Sequence, residues 1–432
     1  MFHYFLLVIV LQQQSKIKIF LTLLKTSYKK ESLLLLMHKG KKMPTIKADR
    51  ISSFGTTVFT VWTNLAKQYD AINLGQGFPD FEPPQFVLDA GKKAFDGYQQ
   101  YSPLAGMPDL LKAIATHTSK EWNHPIDPQR EITTTVGATQ GIYLTIQALI
   151  NPNDEVLLIE PFYDSYPASV IMAGGIPTYV PLRPTKEKTW SLDFDELRRT
   201  ITPKTKMLVL NTPQNPTGKV FSLDELKIIA DICQEYDLLV LADEVYEKIL
   251  FDGLQHHSIA TLPGMWERTI TLRSVGKTFS VTGWKVGWAI APPPLTHALQ
   301  MAHQWIPFSI SSVLQNAVAS IMQQSETNGY YDDLTALYQQ KRDFFVNALK
   351  KANLEPFVPQ GTYFIIADTE QWGRKDDEDF CHYMVSKFGV AAIPPSHFYS
   401  PKHQYLAKNL VRFAFCKQDH ILQTSAQRLQ QK

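Results

Sequence analysis

The sequence lacks the features that mark membrane, metal or disulfide-rich proteins. Only three of its 432 residues are cysteines, and Cys233, Cys381 and Cys416 lie too far apart for a disulfide framework or a zinc site. We therefore expect no metal and a reducing, cytoplasmic location. Long apolar runs are scarce as well: Phe5–Leu11 has seven residues, whereas a membrane-spanning helix needs roughly 20. We expect no membrane segment.

The chain also has little excess of one charge sign overall, although its charges are unevenly distributed along the sequence. The net charge is +2, but the first 42 residues carry +7, from eight lysines and Glu31, which leaves −5 for the rest. A mildly acidic body argues against nucleic acid as a partner. Residues 1–43 lack a secretory or mitochondrial pattern. We interpret them as an extension of uncertain status, with the hypothesis that translation begins at Met37 or Met43.

Short β-rich runs alternate with helical patterns from Glu131 onward. The runs are Ile132–Val136, Val156–Ile159, Met207–Leu210, Leu238–Leu241, Thr269–Leu272 and Val286–Ile290. This alternation predicts an α/β fold with a largely parallel sheet, whose ligands bind beyond the carboxyl ends of the strands. One intervening helix begins with a capping box of Ser222 and Glu225.

The two ends of the chain predict a second, smaller α/β part. A helical pattern at Phe54–Tyr69 leads into a short strand and a glycine loop. Near the other end, a long helical region, Ser311 to Ala352, precedes strand-like and helical segments that continue to Leu429. We find no internal repeat and no low-complexity linker.

Two segments at the predicted strand ends suit a phosphate and a ring. Gly137-Ala138-Thr139 opens a helix after a strand, and free amide groups at a helix start favour anions, although so short a motif is a weak signal. The segment 160–166 places aromatic side chains at the same edge. Aromatic residues most often belong to the core, so this segment alone does not decide between packing and binding.

A carboxylate and an amine follow two further strands. Asp243 comes just after Leu238–Leu241, and a carboxylate there requires either a Lys or Arg partner or a protonated ring nitrogen of a cofactor. Lys277 follows Thr269–Arg273. A single lysine is usually a solvated charge. A lysine that is desolvated, or set beside another cation such as Lys285, loses its proton more readily and attacks carbonyls.

A phosphate nest, a stacking ring, a carboxylate and an amine together meet the needs of pyridoxal phosphate. From about Thr45 onward the chain resembles the class I/II pyridoxal-phosphate-dependent aminotransferases of fold type I. The motifs are Asn-x-Pro-x-Asn-Pro-Thr-Gly at 211–218, Asp-Glu-Val-Tyr at 243–246, Ser-x-Gly-Lys-Thr-Phe at 274–279 and Val-Arg-Phe-Ala-Phe at 411–415. Residues 74–81 and 391–394 resemble the methionine and kynurenine aminotransferase branch.

The resemblance implies a fold and domain bounds. We expect a mostly parallel, seven-stranded sheet in a large domain and a smaller α/β domain built from both chain ends. The expected bounds are 44–84 for an N-terminal arm and part of the small domain, 85–312 for the large cofactor-binding domain and 313–432 for the small C-terminal domain.

The resemblance also implies roles for individual residues. Lys277 would attach the cofactor and move a proton, Asp243 would pair with the ring nitrogen, and Tyr246 with Asn215 would bind the phenolate oxygen. The other cofactor contacts would be Ala138, Thr139, Ser274 and Lys285 at the phosphate, Tyr163 stacked on the ring, and Tyr101 from a partner subunit. The substrate contacts would be Arg412 and Asn215 at the carboxylate, with Gly77 closing the other side, and Phe308 would line the pocket of the neighbouring subunit. The family often has Arg where Lys285 stands. A site shared between chains implies a homodimer.

The expected reaction is a ping-pong transfer of an amino group from an amino acid to a 2-oxo acid. The lack of a second arginine and the large, mainly apolar residues expected at the rim favour methionine or aromatic amino acids, with kynurenine or glutamine as the alternative. These rim residues are Phe162, Tyr163, Tyr166, Trp305 and Phe308. Two rivals are a β-lyase acting on cysteine conjugates and a cofactor-binding regulator fused to a DNA-binding helix-turn-helix. The regulator is disfavoured because the residues before the domain hold no paired helices.

Overall fold

The computed structural model describes residues 46–431, so the extension 1–43 and its proposed start sites lie outside the described residues. The chain divides into two compact units, Met1–Ser53 and Phe54–Lys432. The described part of the first holds one 3-10 turn, Asp49–Ile51. The strands of the second are β1 Ile72–Asn73, β2 Ile132–Val136, β3 Glu155–Glu160, β4 Ile176–Pro184, β5 Trp190–Leu192, β6 Thr205–Asn211, β7 Leu239–Asp243, β8 Thr269–Ser274, β9 Val286–Ile290, β10 Glu355–Phe357, β11 Phe364–Asp368, β12 Val390–Ala391 and β13 Leu410–Ala414.

The central sheet has the order β2-β9-β8-β7-β6-β3-β4-β5. Its middle strands pair in parallel, while β9 runs antiparallel to both β2 and β8. The predicted parallel α/β sheet is therefore confirmed, but the expected count of seven was wrong, because the sheet has eight strands within residues 46–431. The additional strand is β5, three residues paired antiparallel with β4. A strand of three residues is too short to show a periodic pattern. Its partner β4 contains three prolines, which are atypical of strands, so the sequence does not predict β4 either.

The helices follow the apolar periodicity closely. They are α1 Val58–Gln68, α2 Gln85–Ala94, α3 Pro108–Trp122, α4 Gly137–Leu149, α5 Ser165–Met172, α6 Phe194–Thr200, α7 Leu223–Glu235, α8 Val275–Thr278, α9 Pro293–His303, α10 Ser312–Ser325, α11 Tyr330–Lys351, α12 Asp377–Tyr383 and α13 Asp419–Gln430. The capping box of Ser222 and Glu225 at α7 is confirmed. The long helical region predicted after Ile310 is two helices, α10 and α11, interrupted at residues 326–329.

Two small sheets lie outside the central sheet, and the first of them joins the two ends of the second unit. β1 pairs in parallel with β12, with Ile72 opposite Val390. β10, β11 and β13 form a three-stranded antiparallel sheet. This arrangement agrees with a smaller α/β part built from both chain ends, while the domain bounds themselves stay a prediction. None of the helices between residues 46 and 431 combines the length and the apolar character that crossing a membrane would require.

The direction of the strands gathers the predicted chemistry at one edge of the central sheet. β2, β3, β6, β7 and β8 all end at this edge, because the middle pairs are parallel and β2 is antiparallel to β9, which in turn is antiparallel to β8. The start of α4 follows β2, and Asp243 and Ser274 are the last residues of β7 and β8. The carboxyl edge of a parallel sheet is where ligands of such folds bind.

Candidate active site

A cavity of about 280 Å³ lies at this edge of the sheet. Eleven of the thirteen predicted site residues line it. They are Gly77, Ala138, Thr139, Tyr163, Asn215, Asp243, Tyr246, Ser274, Lys277, Lys285 and Arg412. Residues more than 300 positions apart in the chain therefore meet in one space.

One end of the cavity is suited to an anion. Gly137, Ala138 and Thr139 form the start of α4, and the first amide groups of a helix have no partner within the helix. Lys285 lies at the same end, close enough that a Cβ added at Gly137 would meet its Nζ at 3.2 Å. Gly287 of β9 presses against the helix start, because a Cβ there would lie 2.9 Å from the amide nitrogen of Ala138. Close packing thus fixes a cation and several amide groups around one point.

A buried carboxyl group marks another side of the cavity. Asp243 is 4% exposed and accepts a hydrogen bond of 2.7 Å from the Tyr166 hydroxyl. Burial raises the pKa of Asp243 to about 6, and the hydrogen bond from Tyr166 and the charge of Lys277 limit the rise. The Asn211 amide donates to the Asp243 carbonyl oxygen at 2.8 Å, which joins β6 to β7 at this point. The carboxyl group is thus rigidly held and accessible only from the cavity.

Lys277 lies on α8, a single helical turn directly after β8. Its Nζ lies 5.7 Å from the ring centres of Tyr246 and Tyr363. Burial, together with the charges of Lys285 and Arg412, lowers the pKa of Lys277 to about 8, although Cys416 and Asp243 oppose this change. The predicted effect of Lys285 on this amine is therefore present. An amine with this pKa is a nucleophile and a base near neutral pH.

Arg412 also lines the cavity and is completely buried. Its Nη2 donates to the Gly75 carbonyl oxygen at 2.6 Å and its Nη1 to Asn215 Oδ1 at 3.2 Å, whereas Nε has no partner among the described residues. Burial lowers the pKa of Arg412 to about 10. A guanidinium group with spare donors in an apolar cavity is a binding site for a carboxylate.

Three aromatic rings enclose this guanidinium group, and sequence reasoning did not find them. The ring centres of Phe364, Phe398 and Phe59 lie 4.4, 5.0 and 5.3 Å from Arg412 Cζ. They come from β11, from a turn after β12 and from α1, so the chain shows no local signal for their meeting. The sequence pattern predicts Tyr166 only as an aromatic residue near the rim. It gives no signal for the hydrogen bond that Tyr166 donates to Asp243.

The remaining two predicted site residues, Tyr101 and Phe308, do not line this cavity. Tyr101 is 76% and Phe308 57% exposed, and their rings contact each other edge to face at 5.3 Å. Trp305, expected at the rim, is 84% exposed, while Phe162 packs in the core against Tyr179. A role for Tyr101 and Phe308 in a neighbouring subunit stays a prediction.

Comparison with known proteins defines the class of this site. Residues 69–428 match the family model of aminotransferase class I and II, and the chain belongs to this family. It is 43% identical to the kynurenine--oxoglutarate transaminase of Dictyostelium discoideum, with 86% of this chain and 93% of that protein covered. It is 39% identical to kynurenine--oxoglutarate transaminase 1 of Homo sapiens, with 89% and 97% covered.

The solved structures agree with the fold. An Escherichia coli protein whose structure identified a methionine aminotransferase function superposes with a TM-score of 0.84 at 35% identity, covering 90% of this chain and all of the other. The predicted fold type and the assignment as an aminotransferase, a transferase of nitrogenous groups, are thereby confirmed.

Proposed function

We propose that this aminotransferase uses pyridoxal phosphate to move the amino group of an amino acid with a large apolar or aromatic side chain to a 2-oxo acid. The observation that carries the proposal is the meeting of Lys277, Asp243 and Arg412 in one cavity. These groups supply an amine of lowered pKa, a buried acid and a carboxylate anchor.

The residues present fit the cofactor at both ends. The packing of Gly287 against the start of α4 leaves amide groups and Lys285 Nζ around a space that suits the phosphate. Ser274, which lines the cavity beside them, adds a hydroxyl donor. Asp243 suits a protonated ring nitrogen, and Tyr163 lies on the cavity wall where an aromatic ring can stack.

Different side chains of the protein would perform different parts of the proposed reaction. When bound, the cofactor supplies a ring that accepts the electron pair released as the substrate Cα–H bond breaks. With the cofactor bound, Lys277 Nζ would take the proton from the substrate Cα and hold it for return, while the Asp243 carboxylate would keep a proton on the ring nitrogen. Arg412 and Asn215 would orient the carboxylate of the substrate. Tyr246 and Asn215 would bind the phenolate oxygen of the cofactor. We propose a ping-pong sequence, in which the same cavity receives the donor and the acceptor in turn.

The preference for a substrate with an uncharged side chain follows from the charged groups that line the cavity. Among the described residues that line the cavity, the cations are Lys277, Lys285 and Arg412, each already used, so no cation is left for a side-chain carboxylate. Phe59 and Phe364 instead supply apolar surface beside Arg412. Kynurenine becomes the first candidate, because the curated relatives described above are kynurenine transaminases. Methionine, our first choice from the sequence, is second and is supported by the Escherichia coli structure.

A homodimer with shared active sites completes the proposal. Tyr101, Trp305 and Phe308 are exposed aromatic residues outside their own cavity. In a symmetric pair each such group would reach the partner's site, with Tyr101 at the cofactor phosphate and Phe308 at the substrate. Light scattering of the purified protein tests this proposal, since a monomer with full activity would contradict it. We place the protein in the cytoplasm.

A panel of amino donors tests the reaction. The purified protein, loaded with pyridoxal phosphate, is mixed with kynurenine, methionine, phenylalanine, glutamine or aspartate without an oxo acid, and the cofactor spectrum is followed. We expect rapid conversion with kynurenine and methionine and slow conversion with aspartate, and an added oxo acid should restore the spectrum. If aspartate were the only amino acid that converted the cofactor rapidly, the proposed substrate class would be contradicted. Release of pyruvate and ammonia from a cysteine conjugate would instead favour the β-lyase alternative.

A further inference from the structure

A buried ionic cluster lies behind the site, on the opposite face of the central sheet. Asp243 ends β7 and Ser274 ends β8, and both line the cavity. Successive residues of a strand point to opposite faces, so Glu244 and Arg273 point away from the cavity. The Glu244 amide donates to the Leu272 carbonyl oxygen at 2.9 Å, which shows that the strand pairing continues past Asp243.

Arg273 joins two carboxylates in this cluster. Its Nη2 lies 2.9 Å and its Nε 3.3 Å from Glu244 Oε2. Its Nη1 and Nη2 donate to the two carboxylate oxygens of Glu121, on α3, at 3.0 and 2.8 Å. The guanidinium group also lies over the Trp122 ring at 5.3 Å. We call Arg273, Glu244 and Glu121 the Arg273 brace.

The groups around the brace keep it ionised. His256 Nε2 lies 3.0 Å from Glu244 Oε2, and Lys248 Nζ lies 2.9 Å from Glu121 Oε2. Burial alone would raise the pKa of Glu244, but the nearby His256 and Arg273 outweigh it and hold that pKa below its usual range. The two carboxylates also raise the pKa of Arg273 against the effect of burial. A charged guanidinium group that is paired along two edges therefore lies behind the cavity.

A buried ion pair of this kind is a poor source of net stability, because desolvation offsets most of the attraction. It does fix geometry, since a planar guanidinium group bound on two edges tolerates little displacement. The two strand ends that it fixes carry Asp243, the last residue of β7, and the Ser274–Lys277 turn at the end of β8.

We propose that Arg273 is a positioning residue for the cofactor: by joining Glu244 to Glu121, it sets the spacing between Asp243 and the turn that carries Ser274 and Lys277. This inference rests on the proposed cofactor. Arg273 touches neither cofactor nor substrate, so its effect passes through the two strand ends.

Binding of pyridoxal phosphate to the cofactor-free protein tests the inference, with tryptophan fluorescence as the readout. Arg273→Lys keeps the charge but loses the two-edged contact. The matched control is Arg268→Lys, because Arg268 binds Asp237 at 2.9 Å and the Leu238 carbonyl oxygen at 3.3 Å, at the amino ends of the same strands. We expect Arg273→Lys to raise the Kd for the cofactor roughly tenfold, the lower end of the effect of outer partners at metal sites, and to shift the absorbance of the bound cofactor. Arg268→Lys should leave both unchanged at a similar melting temperature.

The other possible results distinguish failure of the proposed function from failure of the positioning role of Arg273. If the wild-type protein does not bind pyridoxal phosphate, the proposed function fails. If it binds and Arg273→Lys binds equally well, or if Arg268→Lys weakens binding as much, the positioning role is overturned. Should Arg273→Lys not fold, Glu121→Gln removes one edge of the brace, and an unchanged Kd in that variant also overturns the proposal.

Discussion

The hydroxyl group of Tyr166 donates a 2.7 Å hydrogen bond to Oδ2 of Asp243, and both side chains are buried. This contact gives the acid at the cavity a fixed direction. It also stabilises the carboxylate form against a burial effect that raises the pKa to about 6. Tyr166 is therefore a control on the charge that Asp243 presents near neutral pH.

Replacing Tyr166 by Phe should move the acidic limb of the pH profile of kcat/KM to higher pH. A hydrogen bond to a charged group contributes about 1.5–3 kcal/mol, so its loss raises the pKa of Asp243 further. Fewer carboxylates are then ionised at pH 6 to 7, and activity falls there but recovers at higher pH. The control is Tyr179→Phe, a nearby tyrosine whose ring packs on Phe162. An unshifted limb in Tyr166→Phe would contradict this role.

Lys277→Ala should lose nearly all turnover. Proton transfer by a positioned group contributes typically ~10²–10⁴-fold, and Lys277 would also provide the covalent attachment, so we expect a loss larger than that factor. Steady-state kinetics with kynurenine measures it, and Lys206→Ala, a surface change at the pair with Asp154, should act like the wild type. Turnover retained in Lys277→Ala would exclude the catalytic assignment.

Arg412→Lys should raise KM for every amino donor. Lysine cannot reproduce contacts to Gly75 and Asn215 together with two contacts to a carboxylate. Loss of one charge-assisted hydrogen bond, about 1.5–3 kcal/mol, corresponds to roughly 10- to 100-fold in kcat/KM. Arg342→Lys is the control, since that buried arginine pairs with Asp252 outside the cavity. Equal losses in the two variants would point to general destabilisation.

Gly77→Ala should impair substrate binding through packing. A Cβ at Gly77 would lie 2.4 Å from Phe364 Cζ, and Phe364 is the ring nearest to Arg412. Overpacking of this kind typically costs about 1–3 kcal/mol, so we expect a lower melting temperature and a raised KM. Gly55→Ala serves as the control because nothing lies within 4 Å of its added Cβ. A normal KM in Gly77→Ala would show that Phe364 can shift without effect on Arg412.

Much of the site could be predicted because its groups follow strands in recognisable order. Asp243 ends a strand, Lys277 and the start of α4 follow strands closely, and parallel strands place such residues together. The aromatic enclosure of Arg412 could not be predicted, because Phe59, Phe364 and Phe398 meet only through the packing of separate elements. For the same reason, no local pattern shows that Arg273 binds Glu121 on α3.

The expected fold was confirmed where patterns are long and missed where they are short. The helix Leu223–Glu235 begins where it was predicted because the capping box of Ser222 and Glu225 defines its start. The edge strand Trp190–Leu192 has three residues and exists through its pairing with β4. Pairing between distant segments is information that a single stretch of sequence does not hold.

Borohydride reduction of the purified protein, loaded with pyridoxal phosphate, followed by peptide mapping, tests the central claim most directly. The lowered pKa of Lys277, about 8, and its place in one cavity with Asp243 and Arg412 predict that the cofactor is attached to this amine. We expect one pyridoxyl label, on Lys277, and none in Lys277→Ala. A label on another lysine, or no label on a cofactor-saturated protein, would contradict the assignment.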